Sequence, residues 1–203
     1  AGLSAEELRS VNLLCVGRGD ESYMYFRDSL IIPTIDAGRV VYLSSRVFKD
    51  FYPDGRKREK KTLHMKLAPG MERRPCGFNL DVLRSSACRE RGVLLVEGPL
   101  DAVACSELGH PAIAMYGTGA DGDLVKRLAL YPNVIAYVAL DGTSDVDALK
   151  RATTAGAFGI YTRVCELPAG RDPDEMTGAE LEAVTAAAKE ALDCWCQLVE
   201  VTR

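Results

Sequence analysis

The second half of the chain alternates short apolar runs with amphipathic stretches. The apolar runs lie at residues 93–96, 112–115, 134–140 and 159–165. Short apolar runs bounded by turn residues are typical of strands that are buried on both faces. Amphipathic stretches that predict helices separate them, at residues 101–108, 122–130 and 146–157. This alternation predicts an α/β fold with a mostly parallel sheet flanked by helices.

The first ninety residues follow a less regular pattern, which predicts a small mixed α+β subdomain. Ser4 and Glu7 have the spacing of a helix capping box and predict a short helix over residues 4–11. The remaining pattern predicts strands at 23–26, 29–32 and 39–43, a turn at 33–38 and a helix at 80–90. Residues 49–76 lose this periodicity, so we expect a loop or a hairpin there.

The last segment predicts one long helix over residues 178–200. Its apolar positions fall on one helical face: Leu181, Val184, Ala188, Leu192, Trp195 and Val199. We expect that face to pack against the sheet. The patterns together divide the chain into an N-terminal subdomain at 1–90, an α/β domain at 91–176 and a C-terminal helix at 177–203.

Composition adds limits to this picture. The chain has 203 residues, of which 47% are hydrophobic, so it has enough apolar material for a substantial core. It contains neither an apolar run long enough to span a membrane nor a signal-peptide pattern, and we expect a cytoplasmic protein. Its seven cysteines are scattered and odd in number, which favours buried thiols over disulfides, and no spacing fits a zinc site.

The charge is distributed unevenly along the chain. The net charge of −4 alone argues against a nucleic-acid-binding protein, yet nine Lys or Arg residues lie between Lys49 and Arg74. Most of the acidic excess lies in the second half. A basic run is often only a solvated surface, but this asymmetry also suits a protein that holds a polyanion on one side and cations on the other.

Carboxylates follow three of the predicted strands. Glu97 and Asp101 follow the first strand, Asp141 follows the third, and Asp172 and Asp174 lie just beyond the fourth. Because the carboxyl ends of parallel strands meet at one edge of a sheet, we expect these five side chains to share a crevice. Carboxylate oxygens are the ligands that Mg²⁺ and Mn²⁺ prefer, and such sites are completed by substrate phosphates. The pattern therefore predicts metal-dependent phosphoryl transfer.

The order of these motifs resembles the Toprim domain, and in particular that of DnaG-type primases from bacteria and phages. The residues that carry the resemblance are Glu97-Gly98-x-x-Asp101, Gly117-Thr118, Leu140-Asp141-Gly142 and Leu167-Pro168-x-Gly170-Arg171-Asp172-Pro173-Asp174. It extends upstream through Phe26–Pro33, Gly38–Val47 and Pro75–Leu80, and it covers about residues 3–176. The resemblance identifies residues 91–176 as the Toprim domain and 1–90 as the basic subdomain of a primase core.

The resemblance implies a DNA primase, a nucleotidyltransferase that makes short RNA primers on single-stranded DNA from nucleoside triphosphates. It implies a catalytic role for Glu97, Asp101 and Asp141, and metal binding by these residues together with Asp172 and Asp174. The basic residues that would hold phosphates are Arg46, Lys60, Lys61 and Lys66. The zinc-binding and helicase-binding modules of many relatives are missing, so we expect a catalytic core, a fragment or a compact phage-type version. A replicative helicase would then act through separate domains.

One position departs from the family pattern. Thr143 stands where the third-strand motif, Asp-x-Asp, has its second acid. Asp145 or Asp147 could replace that acid, or one metal could bind more weakly, or catalysis could be lost. Two alternative functions therefore stay open: a Toprim nuclease that uses Glu97 as a general acid or base, and an inactive module that binds nucleic acid or protein.

Overall fold

The computed structural model describes residues 4–10, 12–17, 21–48, 62–64, 77–116, 122–140, 152 and 154–194. The chain divides into two compact units, one at Ala1–Pro75 and the other at Cys76–Arg203. The structure thus places the division earlier than the boundary after residue 90 that the sequence pattern suggests.

The first unit begins with the predicted capped helix. Helix α1 spans Ala5–Ser10. The backbone N–H of Ser4 donates to Glu7 Oε2 at 2.7 Å, and the N–H of Glu7 donates to Ser4 Oγ at 3.2 Å. This reciprocal pair is the capping box that the sequence predicts. Strands β1 (Leu14–Val16) and β2 (Ser22–Met24) then form an antiparallel pair.

A three-stranded antiparallel sheet completes the described part of the first unit. Its strands are β3 (Ser29–Asp36), β4 (Arg39–Val47) and β5 (Thr62–His64), in that spatial order. The turn predicted at 33–38 is confirmed only at residues 37–38, because β3 continues to Asp36 and Pro33 lies inside it, opposite Leu43. An edge strand accepts proline, whose missing N–H is not needed on the unpaired side.

The second unit is built on a five-stranded sheet. Its strands are β6 (Val93–Val96), β7 (Ala112–Ala114), β8 (Ala136–Val138), β9 (Thr162–Val164) and β10 (Lys189–Glu190). Their spatial order is β10-β9-β8-β6-β7, with β6 to β9 mutually parallel and β10 antiparallel to β9. The predicted mostly parallel α/β sheet is therefore confirmed.

Helices flank this sheet. Among the described residues they include α2 (Ser86–Arg91), α3 (Pro99–Glu107), α4 (Gly122–Ala129) and α5 (Gly178–Ala186). The helix predicted at 80–90 is in fact a 3-10 turn at Leu80–Arg84 followed by α2, which Ser85 caps by accepting the N–H of Cys88 at 3.0 Å. In the part of the chain that the structure describes, no helix is long and apolar enough to cross a membrane.

Two apolar clusters cover the two faces of the sheet. One contains Leu95, Ile113, Val138 and Val164 with apolar residues of α2 and α4, and the other contains Leu94, Val96, Ala112 and Ala114 with residues of α3 and α5. The alternation of side chains along each strand produces this division. Cys88, Cys105 and Cys165 are buried in these clusters as free thiols, as the scattered cysteines predict.

The helix predicted over 178–200 is not continuous: residues 178–186 and 191–194 are helical, the segment between them is not, and residues 195–200 lie outside the described residues. Helix α5 ends at Ala186, and Lys189–Glu190 form β10, whose partners in β9 are Val164 and Arg163. The Lys189 ammonium also donates to Glu166 Oε1 at 2.7 Å. Pairing with the sheet edge thus overrides the helical pattern, which contains no glycine or proline to signal the break.

Residues after Gly77 belong to the second unit because they cover its outer strand. The N–H of Phe78 donates to the carbonyl of Ala114 at 2.8 Å, and Asn79 Nδ2 donates to the carbonyl of Ala112 at 2.9 Å. These bonds satisfy groups that would otherwise be open at the edge of β7.

Candidate active site

The carboxyl ends of the parallel strands lie level with one another. The N–H of Ala139 donates to the carbonyl of Leu95 at 3.0 Å, and the N–H of Cys165 donates to that of Val138 at 2.9 Å. Glu97 follows β6 directly at this edge and is half-buried. The strand therefore delivers a glutamate to the position where ligands bind in open α/β sheets.

Asp101 lies in the first turn of α3, which follows the same strand. Gly98 is the N-cap residue of α3, and its backbone N–H donates to Asp101 Oδ2 at 2.9 Å. A Cβ atom at position 98 would approach the same oxygen to 3.0 Å. Gly98 thus lets the Asp101 carboxylate lie close to the backbone, where the hydrogen bond orients it.

Asp172 and Asp174 lie on a tight turn beyond β9. Residues Pro173–Glu175 form a 3-10 turn that packs against α3, and Pro173 is fully buried. Both aspartates are exposed. The buried proline anchors the turn and leaves the two carboxylates toward solvent.

Asp101 and Asp174 both act on the same buried thiol. The pKa of Cys105 rises from 9.0 to about 12, chiefly through burial and then through the negative charges of Asp101 and Asp174. The fold accounts for this shared effect, because the turn that carries Asp174 packs against α3, the helix that carries both Asp101 and Cys105. The two elements that carry Asp101 and Asp174, 73 positions apart in the sequence, are therefore in contact.

These side chains supply the hard oxygen donors that Mg²⁺ and Mn²⁺ require, and so their chemistry fits a divalent cation. In the described ranges, no group of three or more His, Cys, Asp or Glu residues is arranged to hold a metal ion. Asp141 lies outside the described residues. The complete predicted ligand set is therefore not tested by the described side chains and stays a prediction.

The predicted phosphate-binding residues lie in the first unit. Arg46 is a half-buried residue of β4, opposite Leu30 of β3 and Thr62 of β5. Lys60, Lys61 and Lys66 lie outside the described residues. The position that departs from the family pattern, Thr143, also lies outside them.

The sequence pattern missed a cluster next to the acidic turn. Arg171 Nη1 donates to Glu180 Oε1 at 2.8 Å, and Arg171 Nη2 donates to the backbone carbonyl of Glu175. Glu180 Oε2 accepts the N–H of Thr177 at 2.8 Å. Hydrogen bonds from Thr177, and then from Arg171, lower the pKa of Glu180 to about 2. The spacing Thr177-x-x-Glu180 is a capping-box signal that could have revealed part of this cluster.

A mostly parallel sheet flanked by helices, with carboxylates beyond its strand ends, defines the class as an α/β protein with an acidic strand-end edge. Comparisons with known proteins refine this class. The chain is 29% identical over 165 residues to the DNA primase of Listeria monocytogenes, an alignment that covers 76% of this chain and 24% of that protein. No protein-family model matches the chain.

The fold also matches primase catalytic domains. A DNA primase domain from Pseudomonas aeruginosa superimposes with a TM-score of 0.78 at 24% identity, over 97% of this chain and 63% of that one. A DnaG primase catalytic domain solved with single-stranded DNA superimposes with a TM-score of 0.76 at 25% identity, over 96% of this chain and 62% of that one. The resemblance to DnaG-type primases is confirmed in sequence and in fold. The chain spans about a quarter of the length of the curated relatives it matches.

Proposed function

We propose that this chain is the catalytic core of a DNA primase, which joins ribonucleotides on a single-stranded DNA template in a metal-dependent reaction. The observation that carries the proposal is the packing of the turn that bears Asp174 against α3, the helix that bears Asp101. Glu97 lies at the same sheet edge, at the end of β6. The similarity to bacterial primases supports this assignment over other uses of an acidic crevice.

The carboxylates of the chain would hold one or two Mg²⁺ or Mn²⁺ ions. The residues we assign to this role are Glu97, Asp101, Asp141, Asp172 and Asp174. A divalent cation at such a site lowers the pKa of the attacking hydroxyl and neutralises the charge of the pyrophosphate leaving group. The residues of the chain orient this site: Gly98 fixes Asp101 by its N–H, and buried Pro173 fixes the turn that carries Asp174.

The basic residues of the first unit would hold the polyanionic partners. We assign the phosphates of the template and of the nucleoside triphosphates to Arg46, Lys60, Lys61 and Lys66, since phosphate contacts set position without reading sequence. That a DnaG catalytic domain has been solved with single-stranded DNA supports this choice of template. A replicative helicase would bind the primase through other domains. A cytoplasmic location follows from the proposed role.

Primer synthesis tests the proposal. The chain is incubated with a single-stranded DNA template, labelled ribonucleotides and Mn²⁺ or Mg²⁺, and the products are resolved by length. We expect short RNA products that require both template and metal and that change composition with template sequence.

Two results would contradict the proposal. One is that the chain makes no RNA, even when the zinc-binding module of a related primase and the replicative helicase that works with that primase are added. The other is metal-dependent nicking of plasmid DNA that disappears in Glu97→Gln while no RNA is made, which would establish the nuclease alternative instead.

A further inference from the structure

Arg171 bridges two parts of the chain that flank the acidic turn. Its Nη1 atom donates to Glu180 Oε1 of α5 at 2.8 Å, and its Nη2 atom donates to the backbone carbonyl of Glu175. We call the arrangement of Arg171, the Glu175 carbonyl and Glu180 the Arg171 clasp. Two bonds from one planar guanidinium fix both distance and direction, which an ammonium group does not do.

The Arg171 clasp encloses the two acidic residues of the turn. Asp172 and Asp174 lie between Arg171 and the Glu175 carbonyl that its side chain holds. Within the turn, the N–H of Glu175 donates to the carbonyl of Asp172 at 3.0 Å. The turn packs against α3, the helix that carries Asp101. A movement of the turn would therefore change the separation of Asp174 and Asp101.

Glu180 is itself held in place. Its Oε2 atom accepts the N–H of Thr177 at 2.8 Å and the hydroxyl of Thr177 at 2.9 Å, while Oε1 remains for Arg171. Leu181, the next residue of α5, is buried. The helix thus offers Arg171 a fixed carboxylate, so the clasp connects the turn to the packed part of the second unit.

We propose that Arg171 and Glu180 are positioning residues that hold the turn against α3, so that Asp174 and Asp101 share one divalent cation. The inference rests on the proposed function, and it adds two residues to which the family motif assigns no role here. Partners that orient metal ligands typically contribute about 10-fold to 100-fold in metal affinity.

Electrostatics alone predicts the opposite sign for Arg171. Removing a positive charge near a cation site reduces repulsion and should strengthen cation binding. Positioning predicts weaker binding, because the turn loses two anchors when the guanidinium is removed. The direction of the change therefore separates the two explanations.

Calorimetric titration with Mn²⁺ tests the inference without relying on catalysis. We expect the wild-type chain to bind Mn²⁺, Arg171→Ala to bind it roughly tenfold more weakly, and Arg171→Lys to lie between the two. Arg91→Ala is the matched control, since Arg91 of α2 pairs at 3.4 Å with Glu182 of α5, the helix that also carries Glu180. We expect this control to bind Mn²⁺ with wild-type affinity. Glu180→Gln keeps the capping geometry and should weaken binding less than Arg171→Ala.

The outcomes are distinguishable. Wild-type binding that Asp174→Asn weakens and Arg171→Ala leaves unchanged or strengthens would overturn the positioning role alone. A wild-type chain that takes up no Mn²⁺ would overturn both the metal site and the inference drawn from it. Thermal unfolding of each variant is measured in parallel, and a loss of affinity counts for the proposal in every variant that is still fully folded at the temperature of the titration. If Arg171→Ala is unfolded, the Mn²⁺ affinity of Arg171→Lys tests the proposal instead: weaker binding than the wild type supports the positioning role, and unchanged or stronger binding overturns it.

Discussion

At the scale of single residues, the position of the Asp101 carboxylate depends on the absence of a side chain at Gly98. A Cβ there would lie 3.0 Å from Asp101 Oδ2, so the carboxylate would have to move by a few tenths of an ångström. We predict that Gly98→Ala lowers primer synthesis roughly tenfold, since a misplacement of about 1 Å can cost about a hundredfold. The φ of −109° at Gly98 is ordinary, so the melting temperature should change little. Full activity in Gly98→Ala would contradict this role of the glycine.

The Cys105 thiol should be unreactive in the folded protein. Burial, with Asp101 and Asp174 nearby, raises its pKa from 9.0 to about 12, which lowers the thiolate fraction roughly a thousandfold. We predict that iodoacetamide at about pH 8 leaves Cys105 unmodified in the native protein and modifies it after denaturation. Site-resolved mass spectrometry measures the two rates, with half-buried Cys15 as an internal reference. Equal rates in the two states would show that the thiol is not enclosed.

The Glu180 carboxylate should make stability depend on pH. Its pKa falls from 4.5 to about 2 on folding, so its charged form stabilises the native state above pH 4.5, and this contribution is lost as the pH falls toward 2. We predict that the melting temperature of the wild type exceeds that of Glu180→Gln at neutral pH and that the difference shrinks through this window. A difference that is constant from neutral pH to about pH 2 would contradict the assignment.

The residues at the strand ends could be predicted from the sequence, but the residues that orient them could not. Glu97 was predictable because an apolar run ends directly before it. The turn around Gly98 was also predictable, but the bond from its N–H to Asp101 depends on exact backbone geometry. The ion pair of Arg171 was not predictable, because its partner Glu180 lies nine residues further along the chain, beyond the buried Pro173.

At the scale of elements, the junction of α2 and β6 requires a glycine. Gly92 has a φ of +80°, and a Cβ there would lie 2.5 Å from the carbonyl oxygen of Ile135 and 2.7 Å from the Tyr137 ring. Gly109 has nearly the same φ, +82°, but nothing within 4 Å of such a Cβ. Gly92 also has a ψ of −166°, in a backbone region open essentially only to glycine, so a substitution there combines backbone strain with collision.

We predict that Gly109→Ala lowers the free energy of unfolding by about 1–2 kcal/mol, the usual cost of a left-handed backbone for a residue with a Cβ. Gly92→Ala should cost at least about 1 kcal/mol more, because its backbone region is essentially restricted to glycine and the strand must also move away from the collision. Urea unfolding of both variants measures the difference. Equal losses of unfolding free energy in the two variants would contradict the larger cost predicted for Gly92→Ala.

Element types were predictable where a local sequence pattern determines them. They were missed where pairing with a distant strand determines the structure. The capping box of Ser4 and Glu7 placed α1 correctly. Pro33 predicted a turn, yet its position on an edge strand allows it in β3. The segment at 189–190 kept a helical pattern, but pairing with β9 made it a strand.

At the scale of the whole molecule, the α/β class followed from the alternation of apolar runs and amphipathic stretches. The spatial order β10-β9-β8-β6-β7 could not be derived from that alternation, because strand order depends on which connections cross the sheet. The compact unit that begins at Cys76 includes Phe78 and Asn79, whose bonds to β7 have no local signal in the sequence. That the strands end at one edge of the sheet was predictable, since parallel strands share one direction.

The central claim is that carboxylates at this edge carry metal-dependent nucleotide transfer. Template-directed ribonucleotide incorporation by Glu97→Gln, compared with the wild type, tests it most directly. Glu107→Gln is the control, because Glu107 is an exposed acid in the last turn of α3. We predict that Glu97→Gln loses about a hundredfold or more in rate, equivalent to about 3 kcal/mol of transition-state stabilisation, and that Glu107→Gln is unchanged. Wild-type incorporation by a correctly folded Glu97→Gln protein would contradict the account.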